Sequence, residues 1–280
     1  MKISTILLGL TLALGAPCGV VAEEEAKITE ETPYVQSPKV VVDTMLEMAG
    51  VRGSDFVIDL GSGDGRIIIE AAKRFGVRGL GIDYDPRLVK LATDNAARAR
   101  VGNRVSFVQQ DIFKSDFGAA SVITMYLLPE YNLVLRPRFL GMKPGTRIVS
   151  HDYAMGDWKP DAEKIIPVPD KPVGARKESA IYFWVVPARV DGRWRSRLPR
   201  GGRSVEFELR QKFQELSGTA NIAGRSVALE RATLSGPFVS FRVQDGKRTL
   251  RFNGYASAGR ISGQLGIGDR VYRWRALRSD

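Results

Sequence analysis

Asp59-Leu60-Gly61-Ser62-Gly63-Asp64-Gly65-Arg66 is the stretch that decides the fold of this chain. An apolar run from Phe56 to Leu60 leads into its three glycines, and the helical spacing Ile67, Ile68, Ala71, Ala72, Phe75 follows at once. That order predicts a strand, a tight turn and a helix. Glycine admits positive φ and keeps Cβ out of the way, so backbone N–H groups at the helix start can face a polar ligand. Dinucleotide sites use such a turn with the spacing G-x-G-x-x-G. Here the spacing is G-x-G-x-G, with Asp59 two positions ahead of the first glycine. A carboxylate there repels a pyrophosphate and attracts an ammonium group, which argues against NAD and for a zwitterionic, sulfonium-bearing ligand.

Outward from the turn, a second strand runs to Gly81-Ile82-Asp83. Asp83 lies 22 residues past Gly61, the spacing at which a strand-end carboxylate reaches a ribose diol; a merely solvated aspartate is the plain alternative. Asp85-Pro86 caps a helix to about Ala99, Val105 to Val108 is a third strand, and Gln110-Asp111-Ile112 follows it. Ser121 to Tyr126 is a fourth strand that delivers Tyr126-Leu127-Leu128-Pro129-Glu130 to the carboxyl edge of the sheet, where open α/β folds place ligands. Leu135-Arg136-Pro137 lies in the next helical region, and Arg147 to Ser150 makes a fifth strand ending at His151. Ile165 to Val168 and Ala180 to Val186 pair as an antiparallel edge, closed by Pro187. Upstream, Ser37-Pro38 reads as an N-cap followed by proline at the first helical position, opening a helix with Val41, Val42, Met45, Leu46 and Ala49 on its apolar side and Gly50 at its end.

The motif D-L-G-S-G-D-G-R resembles motif I of the class I S-adenosylmethionine-dependent methyltransferases. Tyr34-Val35-Gln36-Ser37-Pro38 and the stretch S-H-D-Y-A-M-G-D-W-K-P from Ser150 resemble one subgroup, bacterial proteins similar to the mitochondrial lysine methyltransferases of the ATP synthase c subunit and the adenine nucleotide translocase. The resemblance implies a Rossmann-like α/β fold with a seven-stranded sheet. It implies S-adenosyl-L-methionine as cofactor, held by Tyr34, Asp59, Gly61, Ser62, Gly63, Asp83 and Asp111, with Asp111 on the adenine amino group; a short acidic turn is the bland reading of Asp111. The first segment, Y-V-P-x-P in the subgroup, closes over the cofactor there. Gln36 replaces its first proline, so a less rigid lid is the expectation. No metal site is expected. Catalytic candidates are Tyr34, Tyr126 and His151, although a single histidine at a strand end is more often structural than a general base.

The expected acceptor is a protein lysine amine. The adenine-methylating tetrapeptide N-P-P-Y is missing after the fourth strand, and cytosine C5 chemistry needs a cysteine. The one cysteine is Cys18, so nucleic acid is an unlikely acceptor by both routes. A small molecule or a lipid head group is the alternative acceptor. A different alternative is an exported binding protein that keeps the fold without catalysis, since S-adenosylmethionine is made in the cytoplasm.

From Trp194 onward the texture changes to short alternating runs, such as Val205 to Leu209, Val227 to Leu229, Phe238 to Val243, Leu250 to Phe252 and Tyr272 to Trp274, separated by glycines. The spacing predicts an antiparallel β-barrel or sandwich over 192–280. The segments L-S-G-T-A, F-N-G-Y-A and I-S-G-Q-L look like one hairpin unit repeated, and Y-R-W-R-A-L resembles the end strand of lipocalin-like barrels. The methyltransferase unit, 34–187, is complete without this module, so the module is expected to fold separately. Residues 189–280 hold 19 Lys and Arg against 8 Asp and Glu, the whole of the chain's formal net charge of +11. Seventeen of those 19 are arginine, which favours planar contact with phosphate or carboxylate. A solvated basic surface competes with an anionic membrane surface as the reading of this excess. Residues 1–22 read as a signal peptide, with an apolar core from Ile6 to Leu14 and small Val20 and Ala22 before a cleavage point. Export to the periplasm or cell envelope is therefore expected, with membrane anchoring as the alternative, and 23–33 as an acidic linker.

Overall fold

The structure is a computed structural model that describes residues 34–199 and 202–279; the leader and the linker lie outside the described residues. Among the described residues no helix is long and apolar enough to cross a membrane.

The first unit is a seven-stranded sheet of β1 (Phe56–Leu60), β2 (Arg78–Asp83), β3 (Val105–Gln109), β4 (Val122–Met125), β5 (Arg147–His151), β6 (Ala162–Pro167) and β7 (Glu178–Val185), in the order β3-β2-β1-β4-β5-β7-β6. β1 to β5 are parallel, β7 runs antiparallel to β5, and β6 pairs antiparallel with β7. The helices are α1 (Lys39–Met48), α2 (Arg66–Phe75), α3 (Pro86–Arg98) and α4 (Pro129–Leu140). Strand alternation divides the core. Val57, Val122, Val149 and Ile181 pack with α1 and α2 on one face, while Ile58, Ile123, Ile148 and Trp184 pack with Leu135, Phe139 and Trp158 on the other. The strand order reverses beside β1, with β2 on one side and β4 on the other. A crevice at the carboxyl ends of β1 and β4 is where such sheets receive ligands.

One helix start differs from the sequence reading. α1 begins at Lys39 with Pro38 in the cap position, and no side chain caps it. The Ser37 hydroxyl lies instead 3.0 Å from His151 Nδ1, a tertiary partner that outcompetes the local cap.

The second unit is one antiparallel sheet of β8 (Gly192–Arg197), β9 (Ser204–Lys212), β10 (Glu215–Ile222), β11 (Arg225–Ala228), β12 (Glu230–Ser235), β13 (Phe238–Asp245), β14 (Arg248–Ser257), β15 (Arg260–Ile267) and β16 (Arg270–Arg278). The order is β11-β10-β9-β8-β16-β15-β14-β13-β12, and the sheet curls almost into a barrel around Phe207, Phe241, Phe252 and Trp274. F-N-G-Y-A and I-S-G-Q-L are the two arms of a single hairpin, β14 with β15, whereas L-S-G-T-A lies in β10 and pairs with β9. Their glycines share a purpose: a Cβ on Gly263 would sit 2.1 Å from the Asn253 carbonyl oxygen, and one on Gly218 2.1 Å from that of Glu208.

The two units meet at Trp158. The Phe213 ring, in the turn between β9 and β10, stacks on it with centroids 5.9 Å apart. Trp158 Nε1 donates to Gln214 Oε1 at 2.9 Å, and Gln214 Nε2 donates to the Lys159 carbonyl at 2.6 Å. Lys212–Asp157 at 3.0 Å and Lys159–Glu215 at 2.8 Å flank the contact. A chain ending at Pro187 keeps every strand of the first sheet but uncovers Trp158, which is otherwise fully buried. Losing that aromatic packing costs about 3 kcal/mol, so thermal denaturation should show the shortened chain melting roughly 10 °C below the first unit of the full chain. An unchanged melting temperature would make the contact incidental.

Candidate functional site

The glycine turn is built for close approach. Gly61, Gly63 and Gly65 have φ of 71°, 55° and 79°, all in the left-handed region that side chains disfavour. Gly61 N and Ser62 N both donate to the Ile82 carbonyl, at 2.9 and 3.0 Å, which pins the turn to β2. The space above it is lined by neighbours a Cβ would strike. One on Gly63 would meet Tyr34 Cε2 at 2.7 Å, and one on Gly61 would meet Leu127 Cδ2 at 2.8 Å.

The two aspartates flanking the turn have different environments. Asp83, at the end of β2, accepts from Gly63 N at 2.7 Å with Oδ2 and from Asp85 N at 3.0 Å with Oδ1. It thereby holds the glycine loop and the start of α3 in one place. Asp59 is 2 % exposed and accepts from the Thr124 hydroxyl at 2.6 Å, across the β1–β4 pairing that sets these two residues side by side. Burial pushes its carboxyl up to about 8, with the Asp83 and Asp64 carboxylates adding to the rise against the Thr124 hydrogen bond. Ser62 Oγ is buried with no hydrogen-bond partner among the described residues. A glycine cradle, an orphan hydroxyl and a buried carboxyl that a cation would ionise suit a ligand that is both polar and positively charged. That donor set fits S-adenosylmethionine. Asp111, past the end of β3, accepts from Phe113 N at 2.8 Å and faces Lys114 at 3.5 Å; Gln110 N donates to the Asp83 carbonyl, which brings this turn beside β2.

The segment ahead of α1 lies over the glycine turn. Gln36 Nε2 donates to the Tyr34 hydroxyl at 2.9 Å and to Asp64 Oδ2 at 3.3 Å. Arg66 ion-pairs with Asp64 at 2.6 Å and donates to the Ser37 carbonyl at 2.9 Å. At Gln36 the amide supplies side-chain bonds where the subgroup's proline would supply a fixed φ.

Beside the turn, the Tyr126 ring lies on the His151 ring with centroids 3.9 Å apart, and Tyr153 stacks at 6.2 Å. His151 is 1 % exposed. Its Nδ1 is 3.0 Å from Ser37 Oγ and its Nε2 3.0 Å from Ser179 Oγ. Burial outweighs Asp152 and holds the imidazole down at about 4, with Lys171 acting in the same direction. Asp152 is matched instead by Lys171, at 2.7 Å. Tyr126 is pushed up to about 12, by burial first and then by Asp152, so its phenol keeps its proton at neutral pH. Leu128 caps α4, whose first turn follows at Pro129 and Glu130.

Of the residues expected from sequence, Tyr34, Asp59, Gly61, Ser62, Gly63 and Asp83 converge on the turn, Asp111 stands at the adjoining strand end, and Tyr126 with His151 forms a stacked pair at the ends of β4 and β5. Ser37, Thr124, Ser179 and Asn132 are additions. Asn132 Nδ2 donates to the Tyr153 carbonyl at 3.1 Å and lies 3.4 Å from Ser150 Oγ, bracing the loop after β5. A buried asparagine in α4 is visible in sequence only as a polar interruption.

Comparison with known proteins adds to this geometry. Residues 59–162 match the family described as ANTKMT methyltransferase domain. A protein-lysine N-methyltransferase of Saccharolobus islandicus is 39% identical over 156 residues, covering 55% of this chain and 93% of that one. The adenine nucleotide translocase lysine N-methyltransferase of Mus musculus is 32% identical over 134 residues, which span 47% of this chain and 58% of that protein. Among solved structures, an RNA methyltransferase from Salinibacter ruber in complex with S-adenosyl-L-homocysteine is 43% identical, covers 60% of this chain and 99% of that one, and superposes with a TM-score of 0.50.

Proposed function

The chain belongs to the S-adenosylmethionine-dependent methyltransferases, and from that premise we propose that its acceptor is the side-chain amine of a protein lysine. Its cofactor is S-adenosylmethionine, which supplies, when bound, a methyl group on a sulfonium leaving group. Asp59, Gly61, Ser62, Gly63, Asp83 and Asp111 are the residues that would hold it, with Tyr34 over them.

What remains for the chain is to present a neutral amine in line and to exclude water. Tyr34, Tyr126 and the rim Leu127-Leu128-Pro129 are the candidates for the acceptor channel. An ammonium entering such a rim loses hydration, which lowers its pKa and favours the neutral nucleophile. Tyr126 stays a neutral phenol and can accept or donate one hydrogen bond without adding charge. His151 has hydroxyl partners at both ring nitrogens and a depressed pKa, so its part in this reading is to hold Tyr126 and the lid rather than to remove a proton.

The observation that carries the lysine reading is the likeness to a protein-lysine N-methyltransferase over nearly that protein's full length. The likeness to the Salinibacter ruber RNA methyltransferase favours a second reading, RNA as acceptor. Incubating the purified chain with methyl-labelled S-adenosylmethionine and a total cell extract separates them. The expected result is label in protein, located by mass spectrometry on lysine Nζ. Label in RNA would establish the second reading, label in lipid or small molecules would establish the other acceptors, and binding without any label would mean the fold serves without catalysis.

A further inference from the structure

The second sheet carries its charge on one side. β8, β14, β15 and β16 contain no Asp or Glu. Their alternation sends Arg195, Arg197, Arg273, Arg275, Arg260 and Arg251 outward, while Trp194, Trp274, Leu265 and Phe252 point into the core. The register puts Arg275 opposite Ser262, Arg273 opposite Gln264 and Leu277 opposite Arg195, so the guanidinium groups share one continuous surface. Arg195 reaches Glu206 of β9 at 2.9 Å, the acidic border of the patch. Arg197, Arg273 and Arg275 have no acidic partner within 4.0 Å among the described residues. Tyr255, Val271 and Leu277 lie on the same side and are 63 %, 64 % and 51 % exposed.

The patch also has a recess. β8 and β16 pair only over Trp194–Ser196 and Ala276–Arg278. Where they part, an open groove of roughly 1320 Å³ is lined by Arg197, Arg273 and Arg275, with Arg195 and its partner Glu206 at one side. Unpaired guanidinium groups form a donor set for phosphate oxygens.

We propose that this side of the second sheet docks on an anionic phospholipid surface, with the arginines on headgroup phosphates and Val271, Leu277 and Tyr255 reaching toward the acyl boundary. The exposed aliphatics decide between this partner and a nucleic acid. Sites for single strands set open aromatic faces beside the cationic track, on which bases stack. The aromatic of this groove, Trp274, is 4 % exposed, with its ring taken up by Phe207, Phe241 and Phe252, and the exposed Tyr255 is a single ring set edge-on to Phe238 rather than a row on which successive bases stack. Aliphatic side chains among arginines suit an interface that is charged at the phosphate level and apolar just below it. Docking of this face is independent of whether the methyl acceptor is lysine or another group.

Co-sedimentation of the full chain with vesicles tests it, using phosphatidylcholine alone and phosphatidylcholine with phosphatidylglycerol in equal parts. Binding is expected only to the second, weakening as salt rises. Replacing Arg197, Arg273 and Arg275 together by Gln should lower vesicle affinity on the order of a hundredfold, with S-adenosylmethionine binding retained as the check of folding. Val271→Ser with Leu277→Ser, the variant to use if the triple change does not fold, should lower the binding that survives in high salt several-fold. Equal binding to both vesicle types, or full binding by either variant, would overturn the proposal. So would a single-stranded RNA that binds while the anionic vesicles do not, which would assign the face to nucleic acid.

Discussion

Gly63→Val should give a flat calorimetric titration with S-adenosylmethionine. Valine at this position faces two obstacles at once. Its backbone must hold φ 55°, where a β-branched residue is strained by about 1–3 kcal/mol. Its Cβ would also lie 2.7 Å from the Tyr34 ring, so either the ring leaves the glycine turn or the turn moves off Asp83. Both outcomes break the cradle, and the expected loss of affinity exceeds roughly a hundredfold. Gly50→Val separates strain from site: its φ is 56°, yet nothing lies within 4 Å of the added Cβ. That control should bind like the parent while losing some stability. A folded Gly63→Val protein with unchanged affinity would show that the turn is not the cofactor site.

A second large effect is expected from pH. With its carboxyl pushed up to about 8, Asp59 is mostly protonated in the ligand-free chain at pH 6. A cationic ligand at this carboxyl favours the ionised form, so binding must first release the proton. Each unit of pH below 8 costs about 1.4 kcal/mol, and affinity should rise close to tenfold per unit from pH 6 to pH 8, then level off. Titrations in buffers of different ionisation heat should show about one proton released at pH 6. Asp59→Asn should flatten the profile. Affinity independent of pH in the parent would place the cation elsewhere. Stability of the ligand-free fold follows the same shift with its own sign. The folded pKa stands above the unfolded value of 3.8, so this group's contribution is fully present below about pH 4 and is lost as pH rises toward 8.

The parts of this site legible in sequence are those whose physics is local. Gly61, Gly63 and Gly65 announce a turn because positive φ is a property of the residue itself, and the apolar runs on either side announce what the turn connects. Asp83 could be placed by counting, since a strand, a helix and a second strand consume a nearly constant length of chain. Ser37 shows where such reading fails. Serine before proline has a strong local meaning as a helix cap, and nothing nearby in the chain signals a histidine 114 residues away. Thr124 is hidden for the same reason, its partner 65 residues off. In the second unit, Val205 to Leu209 and Phe238 to Val243 were readable as alternating strands; β10 and β15 alternate too, but Gly218 and Gly263 interrupt the inward rows Leu216, Ala220, Ile222 and Ile261, Leu265, Ile267. Their glycines were visible, but only the pairing of Gly254 with Gly263 shows that they admit a neighbouring backbone.

The joint at Trp158 has a consequence for reach. A catalytic unit joined to its anchor by slack chain samples a wide volume, and its effective concentration falls as that volume grows. Here Phe213 and Gln214 clasp the segment that leaves β5 just after His151, and directly past the first unit the Ala188 N–H donates to the Gly236 carbonyl, which holds the connecting chain against the second sheet. Such a joint works as a ruler rather than a tether. Were the second sheet docked on a surface as proposed, the catalytic crevice would stand at one height above it, and residues presented at that height would be met far more often than identical residues nearer or farther away.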